Sequence, residues 1–463
     1  MSLLVAIGAL VFLMVVAYRG YSVILFAPVA AMLAVLLTDP AAVPATFSGL
    51  FMEKMVVFVK LYLPVFLFGA VFGKVIEISG FSKSIVSSVI RVVGSGRAML
   101  SIVLVSALLT YGGVSLFVVV FAVYPFAAEL FRRAEIPKRL IPGTIALGAF
   151  SFTMDALPGS PQIQNMIPTS VFNTNTWAAP KLGCIGAIFI FAAGLSYLEW
   201  RRRKALHAGE GYGANHSNEP EAANDEALAN PWIAVLPLFV VAALNKVFTM
   251  LIAQRYGDKF NISFGALEHP LSGETKSVAA IWAVEGALLM GILTVFVFAF
   301  GRVTKKFAEG GRAAVAGALL ASMNTASEYG FGAVIAVLPG FVAIRESLKT
   351  IPNPLVNEAI TVTSLAGITG SASGGLSIAL ASMSAQFISA ANAAQIPMEV
   401  LHRVASMASG GMDTLPHNGA VITLLAVCGL THRQSYIDIF AVTCLKTCAV
   451  FFVIAVYYAT GIV

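Results

Sequence analysis

Two aspartates stand in nearly the same phrase, each followed three residues later by a proline: Asp155 in MDALPGS (154–160) and Asp413 in MDTLPHN (412–418). Both phrases are set in strongly apolar surroundings. A carboxylate taken out of water without a partner is costly, so acids in such places suit a proton carrier or a cation ligand. The other reading is that each caps a half-helix and never titrates. Pro158 and Pro416 each lack an amide hydrogen and disrupt the preceding helical turn. Gly159 with Pro161, and Asn418 with Gly419, extend the irregular stretch. The residues therefore predict two discontinuous helices, broken at about 155–162 and 413–419, whose half-helix N-termini attract anions. His417, four residues after Asp413, is placed to pair with it, to bond a substrate group, or to face a vestibule.

Two other polar interruptions accompany the breaks. TYGGVS (110–115) divides the apolar stretch 98–131, and GSASGGLS (370–377) divides 359–392. Each reads as a re-entrant hairpin, the first turning at Gly112-Gly113. Non-helical backbone at membrane depth is tolerated only where it is buried in protein or lines a cavity. Two ordinary spans with close-packed Gly and Ser faces are the alternative. Two hairpin tips and two breaks, related by a pseudo-two-fold axis, would converge on one site. Among the ionisable residues elsewhere in apolar stretches (Lys60, Glu77, Glu285, Glu328), Glu328 in MNTASEYGFG stands amid Asn324, Thr325 and Ser327.

The elements that must position these residues recur. YGGVSL (111–116) answers SGGLSI (373–378), AEIP (134–137) answers AQIP (394–397), and FGKVIEISGF (72–81) echoes FGAVIAVLPGF (331–341). The separation is 262 residues between Gly112 and Gly374 and 258 between Asp155 and Asp413. Matches in one order at a nearly constant offset predict an internal repeat. Lys83, Arg91, Arg97, Arg132, Arg133, Lys138, Arg139 and the run RRRK (201–204) mark one face of the first half as cytoplasmic. The segment equivalent to 132–139, NAAQIPME (392–399), has no Lys or Arg, and Arg345 and Lys349 are partly offset by Glu346 and Glu358. The expected halves, 1–200 and 232–463, are thus of inverted topology. The stretch 201–231 between them, rich in Gly, Asn, Ala and Glu, reads as a flexible, soluble cytoplasmic linker.

Composition agrees with that class. Of 463 residues 58% are hydrophobic and only 11% charged, against about a quarter charged in soluble domains; mean hydropathy is +0.86. Apolar blocks of the roughly 20 residues needed to span a bilayer recur from end to end. The expectation is an all-α polytopic membrane protein, with residues 1–17 a retained first span rather than a signal peptide. Net charge +6 reflects cytoplasmic loop bias, not nucleic-acid binding. No G-x-x-x-x-G-K-[ST] run occurs, which argues against transport driven by its own ATPase. The four cysteines lie in apolar segments and read as buried small hydrophobes; no metal or cofactor is expected beyond a coupling ion. An intramembrane aspartyl protease also needs two membrane aspartates, but GGMD (410–413) only approaches its G-x-G-D motif, and proteolysis leaves the repeat and twin prolines unexplained.

The hairpin and break motifs, the short N-terminal pair of spans and the mid-chain linker together resemble the gluconate permease family, within the ion-transporter superfamily of carboxylate carriers. The resemblance covers most of the chain. It implies a secondary active symporter of gluconate or a related hydroxy acid, proton-coupled or alternatively sodium-coupled, working as a homodimer by an elevator movement in a bacterial inner membrane. By that similarity the substrate positions fall on the tips (Thr110, Gly112, Gly113, Ser115; Ser371, Ser373, Gly374, Gly375, Ser377) and on the breaks (Ser160, Gln162; His417, Asn418). Asp155, Asp413 or His417 would carry the coupling charge. The chain departs from gluconate carriers at its first break, which reads ALPGSPQ (156–162) instead of a PPHPGP-like run, with the histidine in the second break. That marks a divergent branch, for which a shorter acid such as 3-hydroxybutyrate is the expected substrate.

Overall fold

A computed structural model describes the chain except residues 1, 20, 95–96, 115, 215, 217, 220–227, 264–270, 343–350 and 417, and the side chains of residues 14, 17, 18 and 117. Ser115 and His417 therefore lie outside the described residues, as do Arg345, Glu346 and Lys349 of the charge argument. The molecule is an all-α polytopic membrane protein; six helical segments among the described residues are long and apolar enough to cross a bilayer.

Two short apolar helices, α1 (Ser2–Tyr18) and α2 (Val23–Leu36), precede the long α3 (Met52–Ile78) and α4 (Phe81–Val93). A hairpin of α5 (Ala98–Tyr111) and α6 (Leu116–Arg133) follows. Next comes a broken helix made of α7 (Ile141–Ala149), the single turn α8 (Phe152–Asp155) and α9 (Ile163–Phe172), and then α10 (Pro180–His207). The second part opens with α11 (Pro231–Tyr256) and an antiparallel ribbon of β1 (Lys259–Ile262) and β2 (Leu271–Glu274), which the all-α expectation did not include. It continues with α12 (Thr275–Val337), kinked at Ala299, and a second hairpin, α13 (Pro354–Thr369) with α14 (Ala372–Ala393). A second broken helix, α15 (Met398–Ser409) with α16 (Gly419–Cys428), and the closing α17 (His432–Thr460) complete the chain. Hairpin, broken helix and long closing helix thus occur twice in the same order.

The two hairpin tips are built differently. Gly113 turns the first with φ +95°, and Gly112 is pressed so close to α11 that a Cβ there would lie 2.4 Å from Leu238 Cδ2. Gly370, at φ +63°, ends α13, and Ser371 starts α14 by accepting a 3.0 Å hydrogen bond from the Gly374 amide. The sequence-matched Gly374 and Gly375 are therefore in the first turn of α14, not in the turn itself. Gly375 lets the two arms close: a Cβ would lie 2.2 Å from the Ala366 backbone.

The breaks are somewhat longer than the prolines alone indicate. Phe150 and Ser151 already leave helical geometry, Ser151 at φ −133° and ψ −125°, so the first interruption begins ahead of Asp155 and ends at Gln162. The second runs over 410–418 and closes at Asn418, whose side chain accepts from the amides of Ala420 (2.6 Å) and Val421 (3.0 Å). Neither aspartate caps a half-helix; that task falls to Asn418 in the second break, and no side chain caps α9.

The stretch expected as a flexible linker is helical to His207, and its next residues dock onto the basic loop after the first hairpin. Glu210 takes two hydrogen bonds from Arg139, at 2.7 and 2.8 Å. Glu219 pairs with Arg132 and, at 2.7 Å, with the buried Lys138, and accepts from Tyr212 Oη. Asn218 Nδ2 donates to the Val427 carbonyl at the end of α16, and Tyr124 Oη donates to the Asn218 carbonyl.

Arg139 holds the Glu210 carboxyl below its usual range. Burial pushes the Glu219 carboxyl up, but hydrogen bonds from Lys138, Arg132 and Tyr212 outweigh it and leave the group lowered. A lowered carboxyl stabilises the docked state above its unfolded value, about 4.3, and the contribution is lost as pH falls through the lower folded value. Protection of the amides of residues 208–214, 216, 218 and 219, measured against their intrinsic exchange rates at each pH, is thus expected to be high at neutral pH and to fall below about pH 4, with the membrane core unchanged.

Candidate functional site

The two broken helices cross. Asp155, at the end of α8, is 1% exposed, and neither of its carboxylate oxygens has a hydrogen-bond partner among the described residues. A Cβ on Gly410, the first residue of the second break, would lie 1.8 Å from Asp155 Oδ2, so the carboxylate of one break rests on the backbone of the other. Only glycine leaves that space. The helix ahead of the second break reinforces the crossing: Arg403 Nη1 and Ser406 Oγ donate to the Asp155 carbonyl at 3.1 and 2.8 Å. Arg403 also donates to the Ala178 carbonyl and is fully buried.

Asp413 has a different partner. Lys446 of α17, 1% exposed, places Nζ 2.5 Å from Asp413 Oδ1 and donates to the Phe150 carbonyl at 3.0 Å. One buried ammonium therefore joins the carboxylate of the second break to the carbonyl where the first break starts. Thr447 Oγ1 donates to Gly411 (2.8 Å) and Tyr436 Oη to Thr414 (3.2 Å), so α17 holds the second break along its length.

Each tip is tied to its own break. Gln162 Nε2 donates to the Thr110 carbonyl (2.7 Å) and Tyr111 Oη to the Pro158 carbonyl (2.9 Å). In the second half, Asn418 Nδ2 donates to the Gly370 carbonyl at 2.7 Å, and the Pro416 carbonyl bonds His432 Nε2 at 2.9 Å. These contacts bring Thr110, Gln162 and Gly112–Gly113 together at the first tip, and Ser371 and Asn418 at the second. Among the described residues the buried Thr110 and Ser377 hydroxyls have no partner. Ser160 is turned away, donating to the Thr153 carbonyl at 2.9 Å. Ser373 meets Thr325 Oγ1 at 3.2 Å.

Lys446, Arg403 and His402 were missed in the sequence. Lys446 had a signal, a lone lysine in the apolar run AVTCLKTCAVFF. Arg403 and His402 follow the AQIP motif closely, and His402 bonds Thr174 (2.6 Å) and Asn165 (3.1 Å) across the halves. Among the described residues no group of three His, Cys, Asp or Glu side chains is placed to hold a metal ion. With Asp155, Asp413, Lys446 and Arg403 all at most 4% exposed, the crossing is closed to solvent.

The chain is 58% identical, over the full length of both proteins, to a Bacillus subtilis (strain 168) protein named "Uncharacterized transporter YxjC". No family model matches it. Its fold resembles the crystal structure of the Alcanivorax borkumensis YdaH transporter, with TM-score 0.50 and 14% identity over 92% of this chain and 90% of that one.

Proposed function

Since the chain belongs to the same family of membrane transporters as YxjC, we propose that it is a secondary carrier which moves a small organic anion together with a proton. The observation that carries this reading is the charge balance at the crossing. Asp155 and Asp413 offset Lys446 and Arg403 when both acids are ionised. A proton on Asp155 leaves the group one positive charge in excess, which a monovalent carboxylate neutralises. At 4 Å such a pair of charges is worth about 4 kcal/mol at an effective dielectric of about 20. Proton and anion therefore favour each other's binding, as symport requires.

The uncapped N-terminus of α9 and the unpartnered Thr110 hydroxyl offer donors to the substrate carboxylate. Gln162, Ser371, Ser377 and Asn418 lie around the two tips as groups that read its hydroxyls. The substrate class is a gluconate-like or shorter hydroxy acid such as 3-hydroxybutyrate, carried across the inner membrane of a bacterium by a homodimer. Opposed orientation of the two halves, with the crossing exposed to each side in turn by an elevator movement, gives alternating access. The test is counterflow in proteoliposomes with labelled gluconate and labelled 3-hydroxybutyrate. One of them is expected to exchange, and to be driven by a proton gradient; exchange of neither removes the substrate class, and drive by sodium alone favours sodium coupling.

A further inference from the structure

We infer that Glu328 is a second proton-binding site, at the tip of the second hairpin and separate from the crossing; as a coupling site it rests on the carrier reading above. Glu328 lies on α12 and is 2% exposed, and its Oε2 is buried with no hydrogen-bond partner among the described residues. A Cβ on Gly374 would lie 2.0 Å from Oε2 and 2.4 Å from Cδ. The carboxyl group is therefore pushed into the space that a glycine leaves in the first turn of α14, a helix of 22 residues. Neutral polar groups among the described residues meet that turn. Ser371 Oγ caps the Gly374 amide, and Thr325, three residues before Glu328 on α12, reaches Ser373.

Among the described residues no cation answers this carboxyl. The α14, α2 and α9 helices and the stretch 46–51, all packed on α12, contain no titratable side chain. On α3, Tyr62 Oη is bonded to Ile167 and Ser170, Lys74 pairs with Glu77, Lys54 with Glu53, and Lys60 is exposed. On α11, Lys246 is exposed and stacks on Trp177, while Arg255 and Tyr256 lie, with Lys259 of β1, toward the other end of α12, where Tyr256 packs on Trp282. Tyr329, beside Glu328 in sequence, packs on Phe58. Lys276 and Glu285 belong to the part of α12 before the kink, and Arg302, Lys305, Lys306, Glu309 and Arg312 all precede Glu328 by 16 residues or more, about 24 Å along the helix.

An ionised carboxylate there would stand unpaired in a medium of low dielectric, and it would repel a substrate anion whose hydroxyls are read by Ser371 and Ser377 at this tip. Binding of the anion at this tip therefore goes with a proton on Glu328. The O–H bond forms with a proton taken from water on the side of entry and breaks to water on the side of release. This adds one proton per anion to that carried at Asp155.

The experiment is infrared difference spectroscopy of the full-length protein in lipid, with ¹³C-labelled glutamate, between acidic and alkaline buffer. The wild type is expected to show the carbonyl absorption of protonated glutamic acid, to which the buried Glu358 also contributes, and a component of it that is lost at alkaline pH is missing from Glu328→Gln. Glu328→Asp, on unlabelled glutamate but labelled aspartate, is expected to restore a titrating band. Gly374→Ala is expected to shift the wild-type band, because the new methyl meets the carboxyl. A band unchanged in Glu328→Gln overturns the proposal, whether or not any acid is transported. Where gluconate or 3-hydroxybutyrate is transported, the proton-to-anion ratio is expected to fall by one in Glu328→Gln, and an unchanged ratio overturns the coupling role. Failure of both acids to move in the wild type counts against the carrier reading and leaves the band to judge Glu328.

Discussion

Replacing Lys446 by methionine is expected to cost about 3–5 kcal/mol of stability, the usual loss when a buried ion pair is stripped of one member, and to abolish transport. Two acceptors lose their donor at once: Asp413, 4% exposed, and the Phe150 carbonyl. The methylenes of the side chain are largely kept, so the loss is one of charge and hydrogen bonding and not of packing. Pairing the change with Asp413→Leu removes the orphaned carboxylate, and most of the stability is expected to return. Thermal melts of the purified protein in detergent would measure both. A Lys446→Met variant as stable as the wild type would mean that the ion pair does not hold the two breaks together.

The second large effect belongs to Asp155. Asparagine keeps its size beside Gly410 but cannot exchange a proton, so the crossing keeps a fixed positive excess from Lys446 and Arg403 over Asp413. Anion binding and exchange are expected to survive, while accumulation driven by a proton gradient falls at least about tenfold, the equivalent of roughly 1.4 kcal/mol of lost coupling. Asp413→Asn is expected to act otherwise, as a loss of stability, because its carboxylate is committed to Lys446. Equal kinetic behaviour of the two variants would deny the asymmetry that their surroundings impose.

The asymmetry could not be read from the sequence, where the two aspartates stand in matching phrases. What the phrases do encode is local: proline and glycine after Met-Asp-x-Leu end the helices, and Gly-rich polar tips turn the hairpins. Both effects act within a few residues. The partners act from afar. Lys446 lies 33 residues from Asp413, and Arg403 lies 248 from Asp155, and a single lysine barely lowers the hydropathy of a span of 29 residues. The region after His207 was misleading for a related reason. Its composition suits a free linker, yet Glu210 and Glu219 find their cations in the loop 132–139, some 70 to 90 residues earlier by hydrogen-bond partner. Gly374 is another case, for its sequence match to Gly112 predicts a turn, whereas its contact with Glu328 explains the glycine.

Proton movement read directly, with no need for net accumulation, decides the central claim. Wild-type protein would be reconstituted into vesicles holding a pH-sensitive dye, and gluconate or 3-hydroxybutyrate added outside with the membrane potential clamped. The lumen is expected to acidify as labelled anion enters, and Asp155→Asn to admit the label by exchange with a markedly smaller pH change. Anion entry with no acidification in the wild type, or an undiminished pH change in Asp155→Asn, would contradict it.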